Sequence, residues 1–338
     1  MKTKVVTCIS YHGTGSGAVD DLFREFDNFV SAPSEVECRY LQDPDGVSDL
    51  EYNLIENPNR LNSGFALKRY MIFAKSMAYT YGKIFGNNWM KYSKEYIESL
   101  AKFSYNGYWH GDLRIISKPK LAVYYFRRAL SKITPKKYRK GTFYNYFPKL
   151  ISYHSYISEK EFLNNTKKYS ENLINLLNKD NKEFLVLDQC VPTSNIKRYS
   201  RYIDGLKVII VDRDPRDTYL NSILHGDHVL PKEVEKYCEV YKDIRKTIKE
   251  ELQNSNVLFI RFEDLLFNYD KTVDKIISFV GTDASHHVKK KKVLIPEKSI
   301  LNTRQWIKHP EYHEQIKYIE NHLSEYLYNF DEDDSNEL

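Results

Sequence analysis

The chain is short of several features, and each shortage removes a class of protein. Only four cysteines occur in 338 residues: Cys8, Cys38, Cys190 and Cys238. No two share a C-x-x-C spacing, so zinc-ribbon and dithiol redox motifs are excluded. No metal is expected. Widely spaced cysteines in apolar surroundings read as buried free thiols, which suits a reducing compartment. No apolar run approaches the ~18 residues of a membrane span. The opening MKTKVVTCIS has too short an apolar stretch for a secretory signal, so the expected location is the cytoplasm. The basic excess is small: 51 Lys and Arg against 46 Asp and Glu, a net charge of +5. Nucleic-acid binders usually carry a far more basic face, so no nucleic-acid partner is expected, whereas an anionic small molecule fits. There are no internal repeats. What the chain has in quantity is tyrosine, 28 residues in a total aromatic content of 14%, which reads first as core packing.

Val5 to Ser10 is a short β-branched run that reads as a buried strand. The loop Tyr11-His12-Gly13-Thr14-Gly15-Ser16-Gly17 follows. Apolar residues at Val19, Leu22, Phe23, Phe26 and Phe29/Val30 then recur with helical spacing, predicting a helix over Ala18 to Val30. From about residue 60 to 180 the pattern is helical and rich in Tyr, Lys and Phe, without clear buried strands. This stretch is expected to be a helical insertion within a single α/β domain spanning 1–330. Continuous apolar runs return at Phe184–Leu187, Val208–Val211 and Val257–Ile260, the mark of parallel strands covered on both faces. Helices are predicted over Pro231–Leu252, Thr272–Val280 (ended by Gly281) and Tyr312–Tyr328. The acidic segment 331–338 reads as a solvated tail. The expected fold class is a three-layer α/β sandwich with a central, mostly parallel, P-loop-NTPase-like sheet.

In such sheets ligands bind beyond the carboxyl ends of the strands, and two loops there stand out. The first is the glycine loop. Three glycines in five residues let backbone amides and a helix N-terminus approach an anion, with Thr14 and Ser16 adding hydroxyls. No Lys-Ser/Thr follows its last glycine, so it is not a Walker sequence. The second is Asp212-Arg213-Asp214-Pro215-Arg216-Asp217 after Val208–Val211, leading into a helix with Asn221 and Ser222. A guanidinium at a strand end offers a planar donor fork to phosphate.

Arg-Asp-Pro-Arg-Asp after an apolar strand resembles the 3′-phosphate-binding motif of the sulfotransferases that use 3′-phosphoadenosine 5′-phosphosulfate (PAPS) and release 3′-phosphoadenosine 5′-phosphate (PAP). In that family the first Arg, here Arg213, and a Ser eight residues later bind the 3′-phosphate. Asn221 occupies that later place and Ser222 follows it. Arg261-Phe262-Glu263-Asp264-Leu265 is similar to the family's "R-Y-E-D-L" segment, expected to shape the sheet end. Lys298 to Trp306, with Asn302, Thr303 and Arg304, resembles the loop that covers the nucleotide. By the same resemblance His12, Gly13, Thr14, Gly15, Ser16, Gly17 and Ala18 stand at the 5′-phosphosulfate loop. The family's loop Lys or Arg is missing; His12 is the nearest residue that could carry positive charge.

The resemblance implies PAPS as donor and transfer of a sulfuryl group to an acceptor hydroxyl or amine, with the helical insertion forming the acceptor side; the expected acceptor is a carbohydrate or small molecule. A homodimer is compatible with this reading. Glu35 and Glu37 are the candidate bases, since several carbohydrate and protein sulfotransferases carry a catalytic Glu after the first helix; Asp188 is a further candidate. Arg39 pairs with one of the glutamates on this reading. His110, His154, His225 and His228 are scattered, and Lys289–Lys292 reads as a solvated basic loop. The alternatives are a nucleotide kinase or other P-loop phosphotransferase, and an inactive nucleotide-binding scaffold.

Overall fold

The computed structural model describes residues 2–33, 36–138, 150–226 and 229–330. Contacts divide the chain into two compact units: residues 1–42 with 170–338, and residues 43–169.

The first unit is built on a sheet of five strands in the order β2-β5-β1-β6-β7. These are β1 (Lys4–Ser10), β2 (Phe29–Ser31), β5 (Phe184–Asp188), β6 (Lys207–Asp212) and β7 (Val257–Arg261). Every neighbouring pair is parallel. Parallel strands must be covered on both faces, and these are. Val6, Cys8, Val186, Ile209 and Ile260 pack with the helices Ser16–Phe23, Phe262–Phe267 and Tyr269–Val280. Their alternates Val5, Ile9, Leu185, Leu187, Val208 and Ile210 are also buried. The result is the three-layer α/β architecture with flanking helices that the apolar runs predict. β1 is central, and the chain lies to either side of it. Ligand sites form where the strand order reverses in this way.

Several boundaries differ from the sequence expectation, each for a packing reason. The first helix ends at Phe23, not Val30. Phe29 to Ser31 joins the sheet edge instead, where Phe29 stacks on Phe184 at 4.5 Å. Phe26 and Phe29 have helical spacing because both serve one core, not one helix. The segment expected as Pro231–Leu252 is helical over Val234–Asp243 and again over Ile248–Glu251. The break falls where Arg245 turns inward to Asp212. The last helix is His313–His322, followed by a single 3₁₀ turn. Gly281 ends Tyr269–Val280 with φ 81°, a left-handed cap that glycine adopts without strain. The acidic segment 331–338 lies outside the described residues.

The second unit contains the helices Arg60–Ser76, Ala78–Phe85, Asn88–Leu100 and Lys118–Ile133. It also holds a two-stranded antiparallel pair, β3 (Phe103–Gly107) and β4 (Leu150–His154). That pair is mostly exposed, so it leaves no buried-strand signature in the sequence. Tyr70, Phe73, Tyr81, Phe85, Trp89, Tyr96 and Tyr169 form an aromatic core. Three of its hydroxyls pair internally, Tyr70 with Tyr169 and Tyr96 with Thr166. Much of the tyrosine excess is therefore packing, as buried phenols require partners.

No described helix is long and apolar enough to cross a membrane. The four cysteines are free and buried.

Candidate active site

The candidate site stands at the carboxyl ends of β1, β5 and β6, wholly within the α/β unit. β1 ends at Ser10, and the chain then passes through three left-handed residues: His12 at φ 81°, Gly13 at 64° and Gly15 at 102°. Gly15 tolerates no side chain, since a Cβ there would sit 2.6 Å from the Phe262 ring. The helix Ser16–Phe23 begins directly after it, without a side-chain cap. Its first amides point to the loop by helix geometry.

The loop residues divide into holders and facers. Thr14 is a holder, contrary to the expectation that its hydroxyl meets an anion. That hydroxyl donates to Val211 O at 2.6 Å and accepts from Tyr11 N at 3.1 Å, clamping the loop to β6. Ala18 likewise turns to the core, and its amide bonds Gly15 O. Ser10, His12, Gly13, Gly15, Ser16 and Gly17 line a cavity of about 580 Å³.

The opposite wall of that cavity comes from an extended segment after β2. Val36, Cys38 and Tyr40 are buried, while Glu37 and Arg39 are exposed. This period of two puts Glu37 and Arg39 on one face. Cys38 N donates to Asp188 O at 2.9 Å, fixing the segment against β5, and the Tyr40 hydroxyl donates to Ser170 at 3.1 Å. Glu37 and Arg39 both line the cavity, and they form an ion pair at 3.2 Å. Glu35, the other candidate base, lies outside the described residues.

Gln189 is a site residue the sequence reading missed. It follows β5 with φ 54° and lines the same cavity. Its amide donates to Ser10 at 2.7 Å and to Ser16 at 3.1 Å, tying β5 to the glycine loop. Its position just past an apolar strand was the available signal. Asp188 before it is largely buried, and burial pushes its carboxyl up to about 6, against the lowering effect of a Ser16 hydrogen bond.

The second motif is more deeply built. Arg213 leaves β6 only 6% exposed. Its guanidinium donates to Gly13 O at 3.3 Å and to Asn302 O, and lies over the Phe262 ring at 5.2 Å. Its Nε is buried without a hydrogen-bond partner. Arg213 thus joins the glycine loop to the late loop and keeps one buried donor in hand. Asn221, on the helix Pro215–Leu224, sets its amide nitrogen 3.5 Å from the place a Gly13 Cβ would take. Ser222 is buried on that helix. Of the two, Asn221 is the one that faces the loop.

In the late loop, Asn302 contributes its carbonyl to Arg213. Thr303 does not present its hydroxyl outward as expected, because that group donates to Ile300 O at 2.8 Å. Arg304 has φ 53°, and its amide donates to Asp217 at 2.9 Å. Its guanidinium lies over the rings of Phe267 and Phe330. Asp217 also accepts from Gln305 N, and burial pushes its carboxyl up to about 6 despite Arg213 nearby.

The remaining charged groups of the motif are structural. Arg216 bonds Asp214 and Glu320 and stacks on Trp306 at 3.8 Å. Asp212 takes a two-pronged contact from Arg245, whose guanidinium covers Tyr241 and Tyr11. Glu263 accepts from Asp214 N at 2.6 Å, so Arg261–Leu265 shapes the sheet end as expected. His110 and His154 belong to the other unit, and His225 bonds Asn221 O at a helix end. His228 lies outside the described residues. Lys289–Lys292 is partly structural: amides of Lys291 to Leu294 wrap the buried Glu25 carboxylate. Among the described residues, no three His, Cys, Asp or Glu side chains gather as a metal site.

No family model and no curated protein matches the chain. Similar solved structures include a sulfotransferase from Mycobacterium tuberculosis, 11% identical, covering 86% of this chain and 71% of that one at TM-score 0.38. A sulfotransferase from Mycobacterium avium is 9% identical over 95% of this chain and 76% of its own, at TM-score 0.37. Retinol dehydratase, crystallised with androsterone and PAP, is 13% identical over 98% and 82%, at TM-score 0.34. Scores this low fix no residue correspondence, and the functional reading rests on the site alone.

Proposed function

We propose that the chain is a sulfotransferase that binds PAPS at this site and transfers its sulfuryl group to an acceptor hydroxyl or amine. The observation that carries the reading is Arg213: a buried guanidinium at a strand end, fixed between two loop carbonyls, with Nε unpartnered. A buried donor without an acceptor costs about 1–3 kcal/mol, which an anion from solution would relieve. A 3′-phosphate of the donor nucleotide supplies such an anion. Asn221 faces the same loop and adds a neutral amide. The glycine loop and the first amides of Ser16–Phe23 suit the 5′ end. A Walker-type phosphotransferase would need a Lys-Ser/Thr after Gly17, where this chain has Ala18-Val19.

The donor would bring an activated sulfuryl group, and the chain's task is alignment and charge. The acceptor oxygen or nitrogen forms a bond to sulfur while the bond from sulfur to the phosphate oxygen breaks. PAP leaves with that electron pair. Glu37, facing the loop across the cavity, receives the acceptor's proton. A carbohydrate or other small acceptor fits a cavity of about 580 Å³.

Titration calorimetry with PAP and with ATP tests this. Micromolar PAP binding without ATP binding is expected, and Arg213→Ala should weaken PAP at least about tenfold, the value of a lost charge-assisted hydrogen bond. A preference for ATP would sink the proposal, and binding of neither nucleotide would favour a scaffold.

A further inference from the structure

The glycine loop lacks a lysine or arginine, so a 5′-phosphosulfate bound there would meet little fixed positive charge from the loop itself. The cavity supplies one from elsewhere. Among the described residues lining it, the acidic and basic side chains are His12, Glu37 and Arg39. Of these, Arg39 carries a permanent positive charge. Its placement is built: Cys38 and Tyr40 on either side are fully buried, and Cys38 N and the Tyr40 hydroxyl are both tied down. With that backbone fixed, the alternation leaves Arg39 no face but the cavity's.

We infer that Arg39 is the cation that receives the 5′ end of the donor, standing in from β2's extension for the basic residue that the loop lacks. This rests on the reading of the site as a PAPS site. A guanidinium offers five donors, so holding Glu37 and holding an anion are compatible. The anion clamp then has two arms on opposite sides of β1: Arg213 from β6 for the 3′-phosphate, and Arg39 beyond β2 and β5 for the 5′ end.

Two probes separate the arms: PAP, which carries both phosphates, and adenosine 3′-phosphate, which carries only one. By calorimetry, Arg39→Ala should weaken PAP about tenfold and leave adenosine 3′-phosphate unchanged. Arg39→Lys should recover part of the loss. Because the side chain is 44% exposed, the thermal midpoint of Arg39→Ala should match wild type. Arg213→Ala should weaken both nucleotides. If Arg39→Ala leaves PAP affinity intact while Arg213→Ala reduces it, the assignment of Arg39 is overturned and the donor reading survives. Equal weakening of both nucleotides by Arg39→Ala would mean a structural role and would also overturn it. If the wild-type protein binds neither probe, the donor reading itself fails.

Discussion

The two ends of the candidate site are built on opposite principles. Around Arg213 the charges are buried and interlocked: Asp212 with Arg245, Asp214 with Arg216, and Glu263 on the amide of Asp214. Around Glu37 and Arg39 the charges are about half exposed and form an ion pair at the surface of the cavity. Buried charges are costly to leave unpaired, so the first end is rigid and its geometry is fixed before any ligand arrives. Exposed pairs contribute little to stability, so the second end can exchange partners during a reaction. The first end suits recognition of a constant group, and the second suits the changing charges of transfer.

The sharpest way to break this contrast is Arg245→Ala. It leaves Asp212 buried and uncompensated, and should cost about 3–5 kcal/mol, read as a large fall in the urea midpoint. A loss under about 1 kcal/mol would show that the buried end is not interlocked as described. Gly15→Ala comes next. A Cβ at φ 102° meets the Phe262 ring at 2.6 Å, so a cost of about 1–3 kcal/mol and weakened PAP binding are expected together. Stability without loss of binding would separate the loop from the ligand.

The smallest effect concerns pH. Burial, against the pull of Arg261, pushes Glu263 up to about 7 from an ordinary 4.5. The folded state therefore holds a proton that the unfolded chain has released over that window. Stability from this group is full below about 4.5 and falls as pH rises through about 7. Glu263→Gln keeps the oxygen that accepts from Asp214 and removes the titration. Its urea midpoint should vary less with pH than wild type's across that window. An unchanged slope would place the titration elsewhere, with Asp188 and Asp217, both raised to about 6, the next groups to substitute.

Local pattern made the strands and their parallel arrangement readable, because residues covered on both faces must be apolar without alternation. It also made Arg213 readable, as a guanidinium just past the end of such a run at the head of Arg-Asp-Pro-Arg-Asp. It misread the first helix because Phe26 and Phe29 share a core with Phe23 without sharing a helix. Thr14 and Thr303 looked like ligand hydroxyls but close internal bonds, and only the fold places Val211 O and Ile300 O beside them. Gln189 was missed for a similar reason. Its place just past an apolar strand was readable, but its bonds to Ser10 and Ser16 exist only once β5 and β1 are neighbours.

By itself, then, the sequence determined the layered fold, the strand ends where a ligand can bind, and the arginine most suited to a phosphate. These follow from burial and spacing, which act along the chain. The tertiary structure alone decided which loop hydroxyls are engaged, that Asn221 faces Gly13, and that Glu37 and Arg39 stand across the cavity from the glycine loop. Those relations join residues that are distant in sequence or set by the packing of their neighbours, and parallel pairing of β1, β5 and β6 creates them.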